Sequence, residues 1–241
     1  MSTPRRRSGA SGIVLAVLPA LAALLALAGC SGDDAAARGD ASPAEVLAAA
    51  KDTLDETSGV HLTLTTDDLP DGVTGIKSAD GVGTHDPAFE GEITVVLSGQ
   101  DFDVPVIAVD GLVHVQLPLA PGWQDIDPGD YGAPDPAQLL SPDQGFSALL
   151  PATTDLEAGE SVRGGEDNKE ILTEYTGTVP DSAVQNVIPT ASGDFDTAYT
   201  VSADGELRQA VLTGVFYEDA PAMTYTVGFD DYGTETEITA P

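Results

Sequence analysis

The chain has 241 residues, with 40 Asp and Glu against 9 Lys and Arg, a formal net charge of −31 at pH 7 and a single cysteine. Such a surface repels the phosphates of nucleic acid and of anionic lipid headgroups, which excludes nucleic acid as a partner and leaves no basic patch for a membrane. The charge reads as a solvated, soluble surface, and the length allows one ordinary domain, alone or with a tether.

The chain opens on a basic cluster, Arg5-Arg6-Arg7, followed from Gly12 to Ala28 by a run of almost only Ala, Leu, Val and Ile. Basic start, apolar middle and small residues before a cleavage point describe a secretory signal peptide. The rival reading, an uncleaved membrane helix, has only about 17 apolar residues, near the lower limit for spanning, and Pro19 interrupts them. Leu27-Ala28-Gly29-Cys30 resembles the lipobox of bacterial lipoproteins. That resemblance implies that the Cys30 thiol receives a diacylglycerol, that residues 1–29 are removed, and that Cys30 becomes the lipidated N-terminus. It places the protein at the cell membrane, lipid-anchored on the extracytoplasmic side. Three arginines leave with the signal, so the mature charge is 6 − 40 = −34. Residues 30–41 are small and polar and read as a flexible tether with an r.m.s. reach of roughly 20 Å, ahead of a domain at 42–241.

Ser42-Pro43-Ala44-Glu45 forms a capping box with proline at the first helical position, which predicts a helix over 43–56. Val46, Leu47, Ala50 and Leu54 fall on one face of it. Strands dominate the rest. Val60, Leu62 and Leu64 alternate with polar residues, a weaker strand covers 75–83, and Ile93, Val95 and Leu97 alternate again. Strands at 102–109 and 112–117 flank Asp110-Gly111, a hairpin signal; Val104 and Val106 share a face of the first, Val113, Val115 and Leu117 of the second. Residues 118–134 are rich in Pro, Gly and Asp. Short helices are expected at 136–140, at 142–150 behind a second capping box, Ser141-Pro142-Asp143-Gln144, and at 181–188. Phe146, Leu149 and Leu150 form the apolar side of the second. Strands near 157–162, 170–178, 196–202, 206–216 and 223–230 complete the chain. The fold class is α+β, one large curved antiparallel sheet of about 9–10 strands with helices on its inner face.

Catalytic motifs are absent. No G-x-S-x-G elbow, P-loop, dinucleotide fingerprint or H-E-x-x-H occurs, and the carboxylates are too many to single out a pair. The three histidines, His61, His85 and His114, lack metal-ligand spacing; His61 and His114 lie on polar sides of strands and read as solvated. The run Asp125-Ile126-Asp127-Pro128-Gly129-Asp130 faintly resembles a calcium loop, but its twelfth position is Pro136 where such a loop needs Glu; a solvated turn is the default. No enzyme activity, cofactor or metal is therefore expected. The distinctive feature is apolar. Ile93, Val95, Leu97, Val104, Val106, Val113, Val115 and Leu117, with Leu62 and Leu64 nearby, give a sheet face that few, short, Ala-rich helices would cover. From alternation alone a filled core is the first reading, since protein interiors are close-packed, and a lipid-accommodating space is the second.

The ordered set 58–65 (SGVHLTLT), 91–103 (GEITVVLSGQDFD), 109–117 (VDGLVHVQL), Trp123-Gln124-Asp125, 135–150 (DPAQLLSPDQGFSALL), Tyr175-Thr176-Gly177-Thr178-Val179 and Ala183-Val184, together with the lipobox, resembles the actinobacterial LppX/LprA/LprF/LprG lipoproteins, and LprG most. The resemblance spans nearly the whole mature chain, which departs from it in its acidity and in extra residues around 67–76. It implies a LolA/LolB-like half-barrel wrapped round helices. It also implies an apolar cavity for the acyl chains of a glycolipid or triacylglyceride, lined by the ten strand residues above with Phe146, Leu149 and Leu150. The implied function is carriage of such lipids across the envelope, with a membrane lipid transporter as an implied partner. The alternative is a lipid-anchored adhesion or scaffold module with a filled core.

Overall fold

The computed structural model describes residues 41–131, 133–165 and 168–241. The expected signal peptide, Cys30 and nearly all of the tether lie outside them. The first element is helix α1, Pro43–Glu56. Its capping box is formed: the Glu45 backbone N–H donates to Ser42 Oγ at 3.4 Å and the Ser42 backbone N–H donates to Glu45 Oε2 at 2.8 Å. These Ser42 bonds hold the Glu45 carboxyl below the usual carboxylate range. Leu47, Ala50 and Leu54 are buried, with Val46 packed beside them. At the other end His85 Nε2 lies 2.8 Å from the Leu54 carbonyl oxygen, one of the terminal acceptors a helix leaves open.

The strands are β1 Gly59–Thr65, β2 Gly75–Thr84, β3 Ala88–Leu97, β4 Gln100–Val109, β5 Leu112–Val115, β6 Gln124–Ile126, β7 Thr154–Ala158, β8 Val162–Gly164, β9 Glu170–Val179, β10 Ser192–Ser202, β11 Leu207–Val215 and β12 Met223–Asp230. They make one open, antiparallel 12-stranded sheet in the order β6-β5-β4-β3-β2-β1-β12-β11-β10-β9-β7, with β8 also on β9. The expected count of 9–10 is thus exceeded. The three-residue β6 sits in the expected loop, β8 is separate, and the strand expected over 157–162 is β7 at Thr154–Ala158. Two-residue turns with positive φ, Ser98-Gly99 and Asp110-Gly111, join β3 to β4 and β4 to β5.

Two expected helices shrink. Residues 136–140 hold a 3-10 turn, Pro136–Gln138, and 142–150 hold a 3-10 turn, Phe146–Ala148, running into a single α-turn α2, Leu149–Ala152. The second capping box does not start a helix. Instead the chain doubles back, with Phe146 N–H donating to the Leu139 carbonyl at 3.0 Å and Gly145 N–H to that of Ser141 at 2.7 Å. Any side chain at Gly145 would collide with the Leu139 carbonyl. The helix expected over 181–188 is likewise one turn, α3, Asp181–Val184.

Antiparallel register places directly opposed residues on one face. Leu64, Ala79, Ile93 and Val104 form one row; Leu62, Gly81, Gly91, Val106 and Val115 a second; Val60, Gly83, Phe89, Ala108, Val113 and Ile126 a third. This inner face divides. Against β1 and β9–β12 lie α1, α2, Leu140 and Phe146, forming the large core with Phe195, Tyr199, Phe216 and Phe229. Over β3–β6 a smaller cluster of Phe89, Val104, Val106, Ala108, Val113 and Val115 is capped by Ala137 alone of the buried residues outside the sheet. On the outer face the carboxyl-terminal segment lays Ile238 against Ala88 and Ile107, beside Val109 and Trp123.

Candidate functional site

The expected wall residues of β1 and β3–β5 share the inner face, as the alternation requires, but their environments differ, and Leu117 lies beyond β5, which ends at Val115 and not at 117. Leu62, Val104, Val106, Val113, Val115, Phe146, Leu149 and Leu150 are buried, whereas Leu64, Ile93 and Val95 are half-buried. Leu97 and Leu117 are 51% and 39% exposed and stand at the rim. Two packings account for the split. Leu62, Phe146, Leu149 and Leu150 are enclosed in the large core, where the Phe146 and Phe229 rings meet edge-on at 5.7 Å. Val104, Val106, Val113 and Val115 instead line the smaller cluster, which grades outward through Ile93, Val95, Phe102 and Ile126.

The space expected beneath the short, Ala-rich helices is partly filled, and glycines of β2 make room for what fills it. A Cβ on Gly81 would press on the Phe89 ring, and one on Gly83 would come within 3.2 Å of Leu140 Cδ1 and 3.3 Å of Leu62 Cδ1. Phe89 and Leu140 occupy the room that the glycines leave. The open space lies at the boundary of the two clusters. A cleft of about 540 Å³ runs between β5–β6, residues 127–144 and the stretch after α3. Val113 is the one expected wall residue that lines it. Leu112, Ile126, Leu139 and Val187 add apolar surface, and Asp127, Asp135, Gln138, Gln144 and Asn186 add polar groups. Alternation could not find these five, because they sit on loops. A second cleft, of about 660 Å³, lies beside Ala88, Asp110 and residues 234–240, and no expected wall residue reaches it.

The covering segment is tied to α1 by one cation. Lys51 Nζ donates to the Pro142 carbonyl at 2.7 Å and to Asp55 Oδ2 at 2.5 Å. The histidines are structural. His61 faces Asp80 at 3.2 Å. His114 is buried rather than solvated, because it shares the outer face with Ile107 and pairs with Asp125 of β6 at 2.6 Å. The acidic run is engaged locally as well: Asp127 Oδ1 accepts from Gly129 N–H at 2.9 Å. Among the described residues no helix is long and apolar enough to cross a membrane.

The sheet with its covering segment can therefore offer an apolar surface. Known proteins resemble the chain in sequence and in fold. The lipoarabinomannan carrier protein LprG of Mycobacterium tuberculosis is 28% identical over 250 residues, covering 100% of this chain and 99% of that protein. LppX of Mycobacterium bovis, named for phthiocerol dimycocerosate transport, is 31% identical over 211 residues, covering 82% and 86%. The crystal structure of LprF from Mycobacterium bovis matches the fold with a TM-score of 0.64 at 13% identity, covering 83% of this chain and 96% of that one. The LppX_LprAFG lipoprotein family model matches residues 42–239, and the chain belongs to that family.

Proposed function

We propose that the protein is a non-enzymatic lipid carrier of the cell envelope, with residues 42–241 as its lipid-binding domain. The observation that carries this is the half-exposed apolar band Ile93, Val95 and Phe102, which runs from the capped cluster to the bare rim at Leu97 and Leu117. Monomeric proteins rarely leave such a face uncovered unless something docks on it. The names of LprG and LppX attach those relatives to lipoarabinomannan and phthiocerol dimycocerosate. On this reading the ligand is an acylated glycolipid or triacylglyceride with its chains along the β3–β5 inner face. Cys30 holds the carrier to the membrane, and a membrane lipid transporter loads or unloads it.

The energetics suit exchange. Each methylene taken out of water contributes about 0.8 kcal/mol, but a chain leaving a bilayer is already in an apolar medium, so much of that gain is offset and transfer stays near balance. The test is to produce residues 42–241, extract the purified domain and identify bound lipid by mass spectrometry. Recovery of stoichiometric acyl lipid is expected; lipid-free protein that also extracts none from vesicles overturns the reading. A second reading, the lipid-anchored scaffold with a filled core, is favoured by one observation, that Phe89 and Leu140 already fill the space over Gly81 and Gly83. The same measurement separates the two.

A further inference from the structure

Leu119 occupies a backbone position and a surface position that both disfavour leucine. The Ala120 N–H donates to the Leu117 carbonyl at 3.2 Å and closes the turn Leu117-Pro118-Leu119-Ala120. Proline fixes a negative φ at the second position of that turn, and Leu119 at the third has φ 69°. This is the pattern of a type II turn, which favours glycine or asparagine at its third position because φ is positive there. Of the seven described non-glycine residues at positive φ, six are Ser, Asp or Asn, and Leu119 alone is apolar. Packing does not compensate, since Leu119 is 106% exposed. An unfavourable backbone conformation at a side chain that the fold does not use points to a contact outside the fold.

The surroundings of Leu119 specify the partner. β5 runs back toward the start of β4, and Gln116 N–H continues the pairing to the Pro105 carbonyl at 3.0 Å. The 117–122 loop therefore lies at the same end of the sheet as the Ser98-Gly99 turn. Exposed Leu97 and Leu117 stand at that end too, with half-buried Val95 and Phe102 behind them. Neither 93–100 nor 111–124 contains an Asp, Glu, Lys or Arg, in a chain with 40 acidic residues. The first carboxylates past the turn are engaged on the outer face, Asp101 by Lys77 at 2.6 Å and Asp103 by the Thr94 hydroxyl at 2.8 Å. Other carboxylates at this end, Asp67, Asp68 and Asp71 after β1 and Glu218 and Asp219 before β12, belong to connections nearer the middle of the sheet. The β3–β5 corner is thus the uncharged one. Protein-binding hot spots are enriched in Trp, Tyr and Arg, and leucine is under-represented in them. A projecting corner of leucines without charge matches instead an apolar liquid, where contact grows with buried area and needs no shaped partner. We infer that this corner is a membrane-insertion tip: Leu119, backed by Leu97 and Leu117, enters the interfacial layer of a bilayer whose headgroups carry no net charge, by apolar transfer and without a basic residue. The contact is separate from the lipid on Cys30 and stands whether or not the protein carries lipid.

The test is flotation of residues 42–241 with dioleoylphosphatidylcholine vesicles. Every described apolar cluster lies within residues 46–238, so this chain keeps its whole core and lacks the anchor. The parent should float with the vesicles, and no less at high salt than at low, because apolar transfer is not screened. Leu119→Asn supplies a residue suited to positive φ and should weaken partitioning about tenfold, with a melting temperature no lower than the parent's. Cys30 is the only cysteine, so Leu119→Cys in this chain carries a single environment-sensitive fluorophore. Its emission should shift to the blue on vesicle addition. The same probe on Asp86→Cys, in the exposed turn between β2 and β3 at the other end of the sheet, should not shift. A parent that does not float, a Leu119→Asn variant that floats as well as the parent, or a blue shift at 86 without one at 119 overturns the tip. Concentration-dependent association of the parent without vesicles, lost in Leu119→Asn, also overturns it and makes a second copy of the chain the partner. The carrier reading is tested apart from all of these, by the lipid recovered from the purified domain.

Discussion

Replacing Ile93 by tryptophan separates an open apolar face from a filled core. Ile93 is half-buried in the row Leu64, Ala79, Ile93, Val104, and its neighbour on β2 is only an alanine. Its outward neighbours Val95 and Phe102 are also only partly covered. An indole there has an open side to turn into, so the cost to folding should stay at or below the lower end of the roughly 1–3 kcal/mol of core overpacking. If the ring takes the place of about four methylenes of a bound chain, roughly 3 kcal/mol of contact is lost, which is about two orders of magnitude in occupancy. The assay compares lipid recovered from parent and Ile93→Trp protein by extraction and mass spectrometry, with thermal melts run alongside. Thr94→Trp is the control, since Thr94 is the adjacent residue on the opposite face, where its hydroxyl donates to Asp103 at 2.8 Å. Loss of lipid in Ile93→Trp alone, with melting preserved in both, is the expected result. Equal recovery from Ile93→Trp and the parent refutes the placement of acyl chains on this face.

Leu54→Ala removes a fully buried side chain from α1 and should cost about 2–5 kcal/mol, read as a lower urea midpoint with an unchanged slope. Lys51→Met removes the bond to the Pro142 carbonyl, with Lys51 22% exposed; a loss of about 1 kcal/mol in local opening should speed amide exchange over residues 139–147 roughly fivefold, while exchange in β10 and β11 stays unchanged. Burial raises the phenols of Tyr199, Tyr225 and Tyr232, and the neighbouring Tyr217 raises Tyr225 further. The native phenols stay neutral while those of the unfolded chain ionise near pH 10. Their contribution to stability is thus constant below about pH 10, and stability should fall as the pH rises above it; an unfolding midpoint at pH 11 equal to that at pH 8 would contradict the buried placement.

What could be read from the sequence was whatever depends on near neighbours. The Ser42 capping box, the turn at Asp110-Gly111 and the alternation through Val113 and Val115 each specify structure within a few residues, and each is found as expected. What escaped depends on distant partners. β6 is only Gln124–Ile126 and exists because β5 offers it an edge. The capping box at Ser141 is overruled because Phe146 returns to Leu139 and brings Leu149 and Leu150 under α1. His114 looked solvated from its own strand and is buried by packing that the strand pattern does not encode. The short, Ala-rich helices suggested space above the sheet, and only the register shows the Phe89 ring lying over Gly81 and Gly91.

A closed barrel has a bore set by its strand number and shear. This sheet ends instead on two short strands, the three residues of β6 and the five of β7, and β7 is further interrupted by a break in register. Short, irregular edges resist pairing with other chains, and here they have a mechanical counterpart. No ladder joins β6 to β7, so the two margins can spread or approach by altered twist with every existing ladder bond intact. The sheet is in this sense a clip rather than a tube. On the carrier reading, such margins can follow the girth of an acyl chain at a cost in packing alone.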